Sequence, residues 1–148
     1  MEKRLKDMPS KKIIAVSGGF DPIHVGHVRM IQEAKKMGDE LWVSITDDLH
    51  VLKGVGRPIH PQEHRLALIK GLRVVDKAFL CSSLIEAIDF VKPDILVKGI
   101  DYRDGLHEVH TNYCKKRGIE IRFTKTPKLS ASDLIRAASE NSPLKRPV

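Results

Sequence analysis

The chain has 148 residues, 41% hydrophobic and 30% charged, with a formal net charge of +7, the balance of one globular domain. At this length about 70% of the surface exposed by the unfolded form can be buried, so neither disulfides nor a structural metal is needed for folding. The longest apolar run near the start, Ile13 to Val16, is far short of the ~20 residues that span a bilayer, and no membrane or secretory segment is expected.

Cys81 and Cys114 stand far apart without a CxxC pairing, which suits a reducing compartment, and a cytoplasmic location is expected. The excess charge is concentrated at the ends. Residues 1–12 carry five basic and two acidic side chains, and residues 139–148 add Lys145 and Arg146 against Glu140. With aromatics at only 5% there is little material for base stacking. A small anionic ligand accounts for the remaining charge better than a nucleic acid does, and no nucleic-acid partner is expected.

In chain order, short apolar runs alternate with longer amphipathic stretches. Lys12 to Ser17 reads as a buried strand followed by a Gly-rich turn, and a helix starts near Gly26. Met30, Ile31, Ala34 and Met37 recur in that helix at three- and four-residue spacing, and Gly38 is the expected C′ stop. Glu40 to Thr46 reads as the second strand. A polar loop from Asp47 to His60 follows, then a helix over 61–72 opened by Pro61 in its first turn. Val75 to Leu80 is the third strand, Leu84 to Val91 a helix, and Asp94 to Lys98 the fourth strand. A helix over 105–117, a strand over 119–124 and a last helix over 130–138 complete the pattern.

Five strands separated by helices favour a parallel sheet, because parallel neighbours need long crossovers. The expected fold is α/β: a Rossmann-like five-stranded parallel sheet with helices on both faces, in three layers. One domain is expected over 12–138, with flexible tails at 1–11 and 139–148. Ligands bind such sheets beyond the carboxyl ends of the strands, which directs attention to three turns: Ser17 to His27, Gly99 to Asp104 and Lys125 to Ser132.

The first turn carries the strongest signal. Gly18, Gly19 and Gly26 let a ligand approach the backbone closely, and the helix start offers unpaired N–H groups and a positive dipole end to an anion. His24 and His27 flank that end, where both can donate hydrogen bonds to a phosphate. Two alternatives stand beside this reading. Each histidine could simply cap or pack, or the pair could ligate zinc, for which only Asp21 is an obvious nearby third ligand. His60 with His64, and His107 with His110, read as solvated faces.

The segment from Ser17 to Val43, with Gly-x-Phe-Asp followed by His-x-Gly-His, resembles the cytidylyltransferase-like nucleotidyltransferases. The stretches at 52–80 and 92–102 resemble the adenylyltransferase domains of ADP-heptose synthases, and after them the glycerol-3-phosphate cytidylyltransferases. The likeness runs over roughly 12–138, several motifs recurring in order. It implies direct nucleotidyl transfer, in which an acceptor phosphate attacks the α-phosphorus of a nucleoside triphosphate and pyrophosphate leaves. ATP and a sugar 1-phosphate are favoured, and CTP with glycerol 3-phosphate comes second. Mg2+ accompanies the triphosphate, and a homodimer is possible.

By the same resemblance His24, His27 and Lys53 are the catalytic set, contacting the triphosphate and the transition state. Gly18, Gly19, Phe20 and Gly26 belong to the nucleotide site, and Gly99 and Asp101 lie near base and ribose. Arg65 and Lys125 bind phosphate or acceptor, while Asp21 holds the turn or orients the acceptor. Ser130 and Ser132 keep two hydroxyls of the family's final motif, in which Lys128 and Ala131 depart from the usual glycine and threonine. Those departures keep open a nucleotide-binding regulator without turnover.

Overall fold

The computed structural model describes residues 10–99, 108–126 and 131–140. Strands β1 (Ile13–Gly18), β2 (Glu40–Thr46), β3 (Lys77–Cys81), β4 (Ile95–Lys98) and β5 (Glu120–Phe123) form a parallel sheet in the order β3-β2-β1-β4-β5. Helices α1 (Val25–Lys35), α2 (Gln62–Lys70), α3 (Leu84–Val91), α4 (Glu108–Lys116) and α5 (Ala131–Glu140) alternate with them, and a short 3-10 turn covers Asp48–His50.

Successive strand residues point to opposite faces, so the core divides in two. On one face Ile14, Val16, Leu41, Val43, Ile45, Ile95 and Val97 pack with Ile31 and Ala34 of α1 and Ile69 of α2. On the other, Ala15 and Leu96 pack with Ile88 and Val91 of α3 and Cys114 of α4. A sheet buried on both sides needs near-continuous apolar strands, which is what KIIAVS and ELWVSIT supply. Each fully buried Ile or Leu contributes about 1.5–3 kcal/mol, so the histidine-bearing helix rests on a firm floor. This is a Rossmann-like α/β fold in three layers. The chain reverses its direction of winding between β1 and β4, and their carboxyl ends open the crevice where such sheets take ligands.

β2 and α3 span the residues read from the sequence, while other boundaries move for identifiable reasons. β3 begins at Lys77 instead of Val75, because Val74 and Val75 pack onto the core from the preceding turn. There the Asp76 carboxylate accepts from Leu41 N at 2.7 Å and the Lys35 ammonium at 2.7 Å. Pro61 is the N-cap of α2 (φ −58°, ψ 154°), one position before its expected place. Gly38 is not a left-handed C′ stop. Lys36 caps α1 through its own N–H, and Gly38 is required by close approach: a Cβ there would lie 2.6 Å from Ile14 Cδ1 and 2.9 Å from the Lys12 carbonyl oxygen. The expected start of the fourth helix at 105–107 lies outside the described residues, as does most of both expected tails.

Candidate active site

The chain passes from β1 to α1 through Gly19–His24. A Cβ on Gly18 would stand 3.1 Å from the Phe20 ring, so glycine admits the aromatic side chain beneath the turn. Phe20 has a left-handed backbone (φ 52°) and is only 2% exposed. Its ring meets His27 edge-on at 5.1 Å.

His24 is the N-cap of α1 and His27 is its third residue, and they cap reciprocally. His24 Nδ1 accepts from Gly26 N at 3.1 Å, and His27 Nδ1 accepts from His24 N at 3.2 Å. A neutral imidazole has one acceptor nitrogen and one N–H. Using Nδ1 as acceptor in both rings therefore puts the hydrogen on Nε2 in both. The rings stack with centroids 3.8 Å apart and planes 24° from parallel. Burial, then the cost of a second positive charge beside the stacked His24 ring, then the charge of Lys53 lower the His27 pKa to about 4, so at neutral pH it is an uncharged donor. Capping and donation to an anion are thus compatible, since each uses a different ring nitrogen. Among the described residues no group of three or more His, Cys, Asp or Glu side chains gathers as a metal site.

Lys53 arches over the turn from the β2–α2 loop, its Cε and Nζ 3.9 Å from the place a Gly19 Cβ would occupy. Burial of the ammonium against the turn, then the nearby Arg57, lower its pKa; Asp21 partly offsets them and Arg65 adds to them. A cation kept among cations gains more than an ordinary surface lysine from an arriving polyanion.

Two arginines hold that loop down. Asp21 is completely buried and accepts from Arg57 Nε at 2.9 Å, Ile59 N at 2.7 Å and His60 N at 2.8 Å. Arg57 also donates to the Asp21 carbonyl. Burial alone would raise the Asp21 pKa, but the His60 amide, the Arg57 guanidinium and the Ile59 amide outweigh it and hold the carboxyl below its ordinary range. Arg65, 1% exposed, donates from α2 to the carbonyls of His60 (3.0 Å), Gly19 (2.8 Å) and Thr46 (2.5 Å) and to the Asp48 carboxylate (2.6 Å).

Two expected roles are corrected by this geometry, and for Asp21 it favours the first of two: enclosed by the segment it clasps, Asp21 holds the turn and does not face an acceptor. Arg65 is spent on internal carbonyls and Asp48, so its part is to shape the turn from below instead of binding phosphate itself. The Phe20 side chain belongs to the core and supports His27. Gly26 is buried at the start of α1, and Gly99 follows β4 beside β1 at the crevice. Lys125 is exposed, and its backbone N–H donates to Glu33 at 2.7 Å. Asp101 and Ser130 lie outside the described residues, as does the side chain of Ser132.

Arg57 and Glu33 are the residues that sequence reasoning missed. Each has a partner 36 or more positions away, beyond any local periodicity. The one available signal was the lone arginine among the glycines and prolines of 54–61.

The carboxyl end of this Rossmann-like sheet thus carries two reciprocally capping histidines at a helix N-terminus, with the Lys53 side chain beside the same turn. The cytidylyltransferase-like family model matches residues 15–137, and the chain belongs to that family of nucleotidyltransferase domains. It is 45% identical over 97 residues to the bifunctional protein HldE of Nitratiruptor sp. (63% of this chain, 21% of that one). Against the bifunctional protein HldE of Pseudomonas aeruginosa it is 40% identical over 117 residues, covering 76% of this chain and 24% of that one. The chain thus spans only about a fifth to a quarter of the length of these relatives. A solved lipopolysaccharide core biosynthesis protein from Thermoplasma volcanium superposes with a TM-score of 0.67 at 32% identity, over 82% of this chain and all of that one. A pantoate-beta-alanine ligase from Francisella tularensis shares the fold, with a TM-score of 0.59 at 16% identity over 99% of this chain and 76% of that one.

Proposed function

We propose that this protein transfers a nucleoside monophosphate from a nucleoside triphosphate, ATP in preference to CTP, to a phosphorylated small acceptor such as heptose 1-phosphate, releasing pyrophosphate. The observation that carries this is the reciprocal His24–His27 cap, which directs both ring hydrogens to Nε2, with His27 within electrostatic reach of the Lys53 ammonium. An acceptor phosphate is already anionic at neutral pH, so no general base is required. What the reaction demands is stabilisation of charge on the α-phosphate and on the departing pyrophosphate, with the reactants held in line.

In this reading His24 and His27 donate Nε2–H to phosphate oxygens, the opening amides of α1 add their dipole, and Lys53 neutralises the triphosphate from above. Gly18 and Gly26 keep the backbone close to the nucleotide, and Gly19 leaves room for it beside Lys53. Gly99, Asp101, Ser130 and Ser132 complete its site, and Lys125 contributes charge. Magnesium arrives on the triphosphate as part of the substrate. The preference for ATP and a sugar 1-phosphate rests on the likeness to ADP-heptose synthase adenylyltransferase domains, which the relatives named HldE support. Cys81 and Cys114, both buried and unbridged, suit the cytoplasm, and no described helix is long and apolar enough to cross a membrane.

Pyrophosphate release with MgATP or MgCTP against heptose 1-phosphate, other sugar 1-phosphates and glycerol 3-phosphate tests the proposal. Turnover is expected with ATP and a sugar 1-phosphate. Turnover with CTP and glycerol 3-phosphate alone would overturn the substrate assignment. Tight nucleotide binding without pyrophosphate release from any pair would overturn transfer in favour of a regulator.

A further inference from the structure

Trp42 of β2 and Phe79 of β3 lie on the sheet face that carries α3 and α4. The buried residues of those two helices gather on Ala15 of β1 and Leu96 of β4, so over β2 and β3 that face is only partly covered among the described residues. Phe90 of α3 leans into the gap. Its ring centroid is 6.0 Å from Trp42 and 4.8 Å from Phe79, which are themselves 6.4 Å apart. Even so, Phe90 is 63% exposed, and Trp42 and Phe79 are half-buried. Beside the three rings opens a groove of about 520 Å³, lined by Trp42, Lys70, Val75, Lys77, Phe79 and Phe90. It follows the start of β3, an edge strand that pairs only with β2. Exposed aromatic rings beside an open sheet edge are what a protein partner covers.

The charges around the groove narrow the choice of partner. Lys70 and Lys77 stand there with Asp76, and Glu40 lies on the Trp42 face, where its Oε1 accepts from the indole Nε1 at 2.7 Å. The Lys77 ammonium sits 4.4 Å from the Trp42 ring centroid. It meets Glu40 only at 3.8 Å, as Lys11 does, and both lysines are exposed. Long exposed pairs of this kind contribute little to the isolated chain, so the lysines can re-pair across an interface at little cost. A two-fold axis sets each residue of a patch against a different residue of its copy. A patch of mixed sign therefore attracts itself, whereas a polyanion would meet its carboxylates as well as its lysines. Knob and groove also occur together, Phe90 projecting beside the groove that a second Phe90 would fill.

We propose that this face joins two copies of the chain about a two-fold axis at β3, each Phe90 entering the other copy's groove beside Trp42 and the lysines of one copy facing the carboxylates of the other. The groove lies at the start of β3, while the histidine turn lies at the carboxyl ends of the strands. Association thus leaves the mouth of α1 open and is independent of nucleotidyl transfer.

The test follows the full chain by sedimentation equilibrium across a concentration series, with Phe90→Lys, Lys77→Glu and, as a control on α4, Val109→Lys. Trp42 is the only tryptophan of the chain, so acrylamide quenching of its fluorescence reads this face directly, and thermal melts confirm that each variant is folded. The expected result is a wild-type particle of twice the chain mass. Its dissociation constant should rise at least about thirtyfold in Phe90→Lys, the scale of losing a central anchor. In Lys77→Glu, where a cross-axis attraction becomes a repulsion, it should rise about tenfold. Trp42 should be quenched more readily in both variants than in the wild type at equal concentration, and Val109→Lys should change neither reading. Lys77→Glu carries the test should Phe90→Lys fail to fold. A wild-type monomer at every concentration would overturn the proposal and leave the groove to a different partner. A dimer weakened by neither variant, or weakened equally by Val109→Lys, would overturn it by placing the contact on another surface.

Discussion

A histidine that stays neutral leaves a trace in stability as well as in catalysis. His27 has a folded pKa of about 4 against an ordinary 6.5. Between those values the unfolded chain binds a proton that the folded chain does not. The contribution of this residue is therefore complete above pH 6.5 and is lost as the pH falls toward 4. After allowance for solvent screening the loss is about 1–2 kcal/mol. Urea midpoints between pH 4 and 7 should fall less steeply with acid in His27→Ala than in the wild type, and parallel curves would contradict the neutral assignment. The same variant should lose a factor of about 100–1,000 in kcat, the scale of removing one preorganised donor. Thr124 offers a second test at this scale. It is 2% exposed, and its hydroxyl has no hydrogen-bond partner among the described residues. Burying an unsatisfied hydroxyl costs about 1–3 kcal/mol, so the near-isosteric Thr124→Val should raise the unfolding free energy by about 1 kcal/mol and the denaturation midpoint with it. A lowered midpoint would mean that the hydroxyl is satisfied in solution.

Among the elements, the β2–α2 loop depends on its clasp. Asp21 and Arg57 form a pair with side chains 0% and 9% exposed, and losing one partner of a buried pair costs about 3–5 kcal/mol. Asp21→Asn keeps the shape while removing the charge. It should destabilise by about 2–3 kcal/mol, and by releasing the loop it should raise the triphosphate KM through Lys53. Chemical denaturation and steady-state kinetics measure the two effects, and a normal KM in a destabilised variant would separate the clasp from Lys53 placement. This loop also marks the limit of what the sequence discloses. β2, α3 and the glycine–histidine turn were legible because their signals are local: apolar runs and two histidines three residues apart. Arg65 was not. It shares α2 with Gln62, Glu63, His64 and Lys70 and looks solvated, yet it is buried because carbonyls from three different segments turn toward it. The left-handed Phe20 and the long-range partners of Asp21 and Glu33 were hidden for the same reason: each is decided by chain segments that meet only after folding.

At the scale of the molecule, the doubly wound order places the β1 turn, the Gly99 turn and the start of the β5–α5 connection at one end of the sheet. A ligand spanning them binds the folded state and has no site on the unfolded chain, so it must raise the melting temperature. At a free nucleotide concentration one hundred times its Kd the stabilisation is about 2.7 kcal/mol, which for a domain of this size corresponds to a shift of about 5–10 °C. MgATP should therefore raise the midpoint by several degrees, and MgCTP at the same concentration by less. Magnesium pyrophosphate alone should produce part of the shift, because under the proposed function the histidine cap and Lys53 recognise the polyphosphate and not the base. The difference between ATP and pyrophosphate then measures what the base and ribose add. In His27→Ala the pyrophosphate shift should shrink while the ligand-free midpoint near pH 7.5 stays close to that of a comparable cavity variant such as Ile31→Ala. Thermal scans of the two variants with and without each ligand make the comparison, and a full pyrophosphate shift in His27→Ala would move the polyphosphate away from the mouth of α1.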